Sequence, residues 1–310
     1  MIVLNAETLG YSDKAILNWQ EKGFSYQPSS WDEIESKERF DDVAILIVRL
    51  QKKIDEKILS KFPGLKIIVS ATTGHDHLDL KALEKRGIKL VSLRGQDEFL
   101  KTIPSTAEHC FGLLLSLIRN IPAANESVKL GSWNRDHFRG FQLKNKTLGI
   151  IGLGRTGSMM AVYASCFGMK PVYFDPLVSN EKYNRIDDLS SLLKVADVIS
   201  IHVHLTDQTR HLLNKENLSF IKAGSFVLNT SRGDVWDEDA VVELLTSNQI
   251  KGVATDVLSG ELTDIKSSPL WKAQQMGYNV IITPHIGGAT FDAMWACEEF
   301  ITSLVERLNN

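Results

Sequence analysis

Along the chain, short β-branched runs alternate with segments whose apolar positions return at helical spacing. That alternation is how parallel βαβ architecture reads in sequence. It predicts strands over residues 2–4, 43–48, 66–69 and 88–91, and a second series over 147–151, 171–174, 198–202, 225–228, 252–255 and 280–283. An amphipathic stretch at 78–85 stops at Gly87, a residue suited to ending a helix. After Pro104, Ser105-Thr106-Ala107-Glu108 has the S-x-x-E pattern of a capping box and opens a long apolar helix through 110–118. Mixed charge at helical spacing over 293–308 predicts a terminal helix.

The class is therefore α/β. At roughly 100–200 residues per domain, 310 residues make two domains. The expected pair is a Rossmann-type doubly wound parallel sheet over 99–287 and a smaller flavodoxin-like α/β substrate domain. The latter is discontinuous, built from 1–98 and 288–310, and the chemistry is expected in the cleft. In open parallel sheets, ligands bind beyond the carboxyl ends of the strands, where loops and helix N-termini converge. The second series is followed there by Gly152-Leu153-Gly154, Asp175, His202 to Thr206, Arg232, Asp256 and His285. One ligand-binding edge accounts for all six.

The strongest local signal is Gly152-Leu153-Gly154-Arg155-Thr156-Gly157, set between a predicted strand and a helical stretch from Ser158. The first glycine permits a tight turn, the second lets backbone approach a pyrophosphate, and the third allows close helix packing. Asp175 ends the next strand, about where an acidic side chain binds an adenosine ribose. A carboxylate there accepts bonds from ribose hydroxyls and repels a 2′-phosphate, so NAD is favoured over NADP.

Composition narrows the field. Apolar residues make up 43% and charged residues 24%, near the globular average, and the net charge is −3. No whole-chain basic field favours nucleic acid or an acidic membrane surface. The longest apolar runs, 43–48 and 111–118, fall far short of the roughly 20 residues that cross a bilayer. The opening residues reach Glu7 without a basic leader, so no signal peptide is expected. Cys110, Cys166 and Cys297 form no CxxC pair, which fits a reducing cytoplasm. Two HxH pairs, His75/His77 and His202/His204, lack an obvious third ligand, and no metal is expected.

Taken in order, Ser105-Thr106-Ala107-Glu108-His109, Leu148 to Gly157, Asn229-Thr230-Ser231-Arg232-Gly233, Ala254-Thr255-Asp256-Val257 with Glu261, and Thr283 to Thr290 resemble the D-isomer-specific 2-hydroxyacid dehydrogenases. That group includes phosphoglycerate dehydrogenase, and the match runs over nearly the whole chain. The resemblance implies reversible NAD-linked oxidation of a D-2-hydroxy acid to a 2-keto acid. It implies that Arg232 binds the substrate carboxylate and carbonyl, His285 is the acid/base, and Glu261 is the acid paired with it. Thr73 and Gly74 would offer backbone amides to the carboxylate, and Arg49 matches a substrate-contacting arginine of some relatives. Arg155 and Thr156 would lie over the pyrophosphate and Asp256 near the nicotinamide amide. His202, Thr206, Thr230 and Gly287 would complete the cofactor contacts. A homodimer formed through the dinucleotide domain is also implied, without the appended regulatory domain of some phosphoglycerate dehydrogenases.

The chemistry of the residues agrees. Oxidising a secondary alcohol removes a hydroxyl proton as hydride leaves, and histidine exchanges protons near neutral pH. A guanidinium fork suits a planar carboxylate in a way an ammonium does not. Two features depart from the family pattern. His204 stands where many relatives have proline, and 94–104, with Arg94, Gln96 and Lys101, is longer than the usual connection. Other classes remain to be weighed. An NAD-binding corepressor-type protein shares this fold with little turnover. A short-chain dehydrogenase needs Tyr-x-x-x-Lys, which no tyrosine here provides. A methyltransferase using S-adenosylmethionine would leave Arg232, Glu261 and His285 without a joint role.

Overall fold

In the computed structural model, which describes residues 1–305, the strand-helix alternation is realised in two compact units. One comprises Met1–Ile103 with the segment from Ala289, the other Pro104–Gly288.

The first unit holds a five-stranded parallel sheet: β1 (Ile2–Asn5), β2 (Ser25–Pro28), β3 (Val43–Val48), β4 (Ile67–Ser70) and β5 (Lys89–Ser92). The order β2-β1-β3-β4-β5 is the flavodoxin order. Every residue of β3 is buried, because both sheet faces are covered. On one face Trp19 packs with Ala293, Cys297 and Ile301 of the helix Phe291–Ser303. On the other lie Trp31, Ile34, Leu59 and Phe62. β2 escapes a hydrophobic reading because it is a mostly exposed edge strand, Ser-Tyr-Gln-Pro, ending on a proline.

The second unit holds seven parallel strands: β6 (Thr147–Ile151), β7 (Lys170–Phe174), β8 (Asn184–Arg185), β9 (Val198–Ile201), β10 (Ser225–Asn229), β11 (Ile250–Thr255) and β12 (Val280–Ile282). Their order is β12-β11-β10-β9-β6-β7-β8, a doubly wound sheet. The winding reverses between β6 and β9, which is where such sheets open a crevice at their carboxyl ends. Asn229 pairs with Thr255 and Thr255 with Ile282, so β10, β11 and β12 end side by side.

Three expectations shift. The units divide at Ile103/Pro104 and Gly288/Ala289 rather than at 98/99 and 287/288. Leu100 and Ile103 are buried with the first unit's core, which keeps the helix Asp97–Leu100 there. The capping box does not form: Pro104 is already helical (φ −86°, ψ −8°), so Ser105 is the first helical residue of Ser105–Ile118 and its Oγ finds no partner. A capping residue needs extended backbone, and Ser105 is itself helical. The terminal helix runs Phe291–Ser303, and positions 306–308 of its expected span lie outside the described residues. No helix among the described residues is long and apolar enough to cross a membrane.

Candidate active site

Three aligned strand ends supply the chemistry of the second unit. After β10, the buried Asn229 shapes the turn: its Oδ1 accepts from Ser231 N (3.0 Å) and Oγ (2.8 Å), and its Nδ2 donates to Arg232 O (2.9 Å). This presents Arg232, half-buried, with Nη1 donating to Ser231 O at 2.7 Å. After β12 comes His285, which has φ +55°. A non-glycine residue in that region is strained, and strain of this kind persists only where surrounding bonds impose it.

Asp256, at the end of β11, imposes it. Its backbone oxygen accepts from His285 N at 2.9 Å. Its buried carboxylate accepts from Thr283 Oγ1 (2.5 Å), Ile286 N (2.9 Å) and Gly287 N (2.7 Å), with His109 Nε2 3.2 Å away. Burial pushes this carboxyl up, but the bonds from His109, Thr283, Ile286 and Gly287 outweigh it and hold the group below the usual range. A Cβ at Gly287 would come within 3.0 Å of Asp256 Oδ2, so that turn favours glycine.

The turn aims His285 at Glu261, with Nδ1 to Oε1 at 2.6 Å. An ionised carboxylate only accepts, so Nδ1 carries the proton and Nε2 is the atom left to exchange one. Both side chains are about a quarter exposed, which lets small molecules reach them. Glu261 Oε2 accepts from Leu258 N at 3.1 Å. The loop carrying Glu261 lies against the Arg232 turn: a Cβ on Gly233 would fall 2.1 Å from Leu258 C. Ser259 Oγ donates to Asp234 at 2.5 Å, and Arg210 pairs with the same carboxylate. Arg232, Glu261 and His285 thus share one end of the sheet.

The glycine loop follows β6. Gly152 has φ +89°, and a Cβ there would lie 2.8 Å from His202 O; one at Gly157 would lie 2.1 Å from Gly152 O. At Gly154 a Cβ would meet nothing within 4 Å. The protein's own packing therefore requires the first and third glycines, while the second keeps space clear for something that is not protein. The helix Arg155–Cys166 begins there without a side-chain cap, so the amides of its first turn, including Thr156 and Gly157, suit an anion. This fits a dinucleotide's pyrophosphate.

Asp175 is buried at the end of β7, where Oδ2 accepts from Leu153 N (2.8 Å) and Oδ1 from Leu177 N (2.8 Å) and Val178 N (3.0 Å). It staples the glycine loop and keeps acceptor capacity on Oδ2. His202 shares a 2.7 Å hydrogen bond with Ser200 Oγ, and desolvation pushes its pKa down to about 3, so the ring is neutral. Thr206 is exposed, with its amide donating to Thr209 Oγ1 at 2.8 Å. Thr230 Oγ1 is buried beside the Cys110 thiol without an oxygen or nitrogen partner.

In the first unit, the loop after β4 is shaped by Thr72 Oγ1, which donates to Gly74 O at 2.9 Å. The amides of Thr73 and Gly74 make no hydrogen bond among the described residues. Arg49, expected to touch substrate, is fixed by its neighbours: Nη1 donates to Glu298 Oε1 (3.1 Å) and Nη2 to Glu7 O (2.9 Å). The Glu7 and Glu298 side chains are almost fully buried, and a cation removed from them would leave uncompensated charge. These two carboxylates hold the Arg49 guanidinium in place. Three of the four HxH histidines meet serines: His75 with Ser92 Oγ (2.8 Å), His77 with Ser70 Oγ (3.2 Å) and His202 with Ser200.

His109, Thr283 and the left-handed turn at His285 were not assigned from sequence. The first two sit inside the quoted motifs, but no spacing rule says that they converge on Asp256.

Residues 111–287 match the family model described as D-isomer specific 2-hydroxyacid dehydrogenase, NAD binding domain. The chain is 35% identical over 276 residues to a D-3-phosphoglycerate dehydrogenase of Methanocaldococcus jannaschii, covering 87% of this chain and 51% of that one. It is 36% identical over 254 residues to a hydroxypyruvate reductase of Thermotoga maritima, covering 81% and 80%. It spans about half the length of the phosphoglycerate dehydrogenases it matches. Among solved structures, D-lactate dehydrogenase of Aquifex aeolicus with NAD and lactic acid is 28% identical, with a TM-score of 0.76 and coverage of 98% and 94%.

Proposed function

The chain belongs to the D-isomer specific 2-hydroxyacid dehydrogenases, and we propose that it interconverts a D-2-hydroxy acid and its 2-keto acid with NAD. The observation that carries this reading is the 2.6 Å pair of His285 Nδ1 and Glu261 Oε1 on strands aligned with Arg232. When bound, the cofactor supplies or accepts the hydride. Arg232 holds the substrate carboxylate and polarises the carbonyl through its guanidinium fork. His285 gives the Nε2 proton to the carbonyl oxygen as it becomes a hydroxyl, and takes it back in the oxidative direction. Glu261 fixes the tautomer and stabilises the imidazolium.

Gly152 to Gly157 cradle the pyrophosphate in this reading, and Asp175 takes the ribose. His202, Thr206, Thr230, Asp256 and Gly287 line the same cofactor edge. The amides of Thr73 and Gly74, which make no hydrogen bond among the described residues, are donors of the kind a carboxylate takes. The names of the relatives support a small 2-hydroxy or 2-keto acid. Those relatives are dehydrogenases and a reductase, and none favours the corepressor alternative.

A homodimer completes the proposal. The helix Ile121–Lys129 buries none of its residues, and Leu130 and Trp133 just beyond it are 80% and 90% exposed. An apolar patch of this kind suits a second copy of the chain. Cys110, Cys166 and Cys297 form no disulfide with one another, which supports action in a reducing cytoplasm. The test is NADH oxidation against 3-phosphohydroxypyruvate, hydroxypyruvate, glyoxylate and pyruvate, with mass measured by light scattering. Turnover of at least one acid is expected. Inactivity with all four while NADH binds would contradict the reading.

A further inference from the structure

The loop that carries Glu261 has little of its own to hold it in place. From Ser259 to Ser267 no residue is buried, and the only regular element is the short 3-10 turn Ile265–Ser267. Yet Glu261 must keep a 2.6 Å bond to His285, and a misplacement of 1 Å near reacting groups can cost on the order of 10²-fold in rate. Something outside the loop has to fix its ends.

Glu238 spans them. It is the first residue of the helix Glu238–Thr246 and is only 6% exposed. Its Oε1 accepts from Ser259 N at 2.8 Å, at the start of the loop, and its Oε2 accepts from Ser268 Oγ at 2.6 Å, at the end. No cation pairs with it among the described residues, and its charged neighbours are Asp234 and Asp239. An unpaired buried carboxylate is a costly way to make two hydrogen bonds. Here the charge has a geometric reason. Ser268 Oγ accepts from Trp271 N at 3.3 Å and gives its hydrogen to Glu238 Oε2. Only a carboxylate accepts at both ends, whereas an amide offers one acceptor and one donor.

We propose that Glu238 is a positioning residue for the reaction, a buried clasp that closes the Ser259–Ser268 loop and thereby holds Glu261 on His285. This deepens the proposed function and rests on the Glu261–His285 pair acting there. Burial raises the Glu238 pKa, opposed by its bonds to Ser268 and Ser259, as expected of a desolvated group retained for its contacts.

The test compares Glu238→Ala, Glu238→Gln, Glu261→Ala and the double variant Glu238→Ala/Glu261→Ala. Steady-state keto-acid reduction and NADH affinity are measured for each, along with the downfield proton signal of the His285 Nδ1–H···Glu261 bond in cofactor-free protein. A His285→Ala control assigns that signal. Glu238→Ala should lower kcat by about 10-fold or more and weaken the proton signal, leaving NADH affinity unchanged, because the glycine loop lies on β6. Glu238→Gln, which keeps an acceptor for Ser259 N but loses the one for the Ser268 hydroxyl, should fall between. Once the Glu261 side chain is gone the clasp has nothing to position, so the double variant should match Glu261→Ala to within about twofold. Multiplying losses, or a Glu238→Ala protein with wild-type kcat and signal, would overturn the proposal. Should Glu238→Ala not fold, a wild-type kcat and signal in Glu238→Gln would overturn it equally. A Glu261→Ala protein with wild-type kcat would overturn both this inference and the reading beneath it.

Discussion

Gly154→Ala and Gly157→Ala are the same chemical change three residues apart, and the structure expects opposite consequences. At Gly157 the new Cβ would sit 2.1 Å from Gly152 O and 3.1 Å from Ile150 Cγ2. The first contact is backbone, with no flexible side chain to swing aside, so helix Arg155–Cys166 and the loop must separate by about 1 Å. That places the cost at or above the top of the 1–3 kcal/mol range typical of overpacking. For a unit of this size, each kcal/mol lowers Tm by about 2–4 °C, so a drop of roughly 6–12 °C is expected. At Gly154, φ is −71° and ψ −158°, which any L residue adopts, and nothing lies within 4 Å. Folding stability should be unchanged or rise by about 0.4–1 kcal/mol as the unfolded chain loses freedom. The methyl would occupy the space where phosphate oxygens approach the backbone, and a loss of even 1.4 kcal/mol there weakens binding about tenfold. Circular-dichroism melts and NADH fluorescence titrations of both variants separate the two effects. Wild-type NADH affinity in Gly154→Ala would refute the claim that this glycine exists for the cofactor. An unchanged Tm in Gly157→Ala would refute the packing argument.

Arg232→Lys should lose most activity with NADH affinity little changed, since a point charge cannot make two parallel bonds to a carboxylate; near-normal kcat/KM would remove Arg232 from the substrate site. NADH should outperform NADPH in kcat/KM, and Asp175→Ala should narrow the gap while also weakening the glycine loop, which Asp175 holds through Leu153 N. Equal use of both cofactors by the unmodified protein would show that Asp175 is not at the ribose. His202 is neutral in the folded state, with a pKa of about 3 against roughly 6.5 when unfolded, so the unfolded chain binds the extra proton between those values. Its contribution is present above pH 6.5 and lost as pH falls through that window. Melting curves from pH 7 to 4 should therefore fall less steeply for His202→Asn than for the wild type, and parallel curves would contradict the assignment.

What the sequence revealed and what it hid follow from different physics. The buried parallel strands were legible because both faces are covered, so each reads as a β-branched run; β3 was found to the residue. β2 and β8 were not, being exposed edge strands of four and two residues with almost no apolar signal. The catalytic candidates were legible through their motifs, and the sheet register then brought three of them to one end. Their support was not legible. Asp256 as the hub of the His285 turn, Glu238 as a clasp, and Arg49 between two buried carboxylates all depend on contacts between residues far apart in sequence, whose geometry no local pattern encodes. Ser105 shows the converse, a capping pattern at a residue that is itself helical.

The central claim is most directly tested by following the hydrogen itself. NADH carrying deuterium at the transferred position is mixed with a prochiral 2-keto acid that the enzyme accepts, and the product is resolved on a chiral column with mass detection, for the wild type and for His285→Ala. The account predicts a D-2-hydroxy acid with one deuterium at C2, formed about 10²–10⁴-fold more slowly without the histidine. An L product, a product without deuterium, or an undiminished rate in His285→Ala would contradict it.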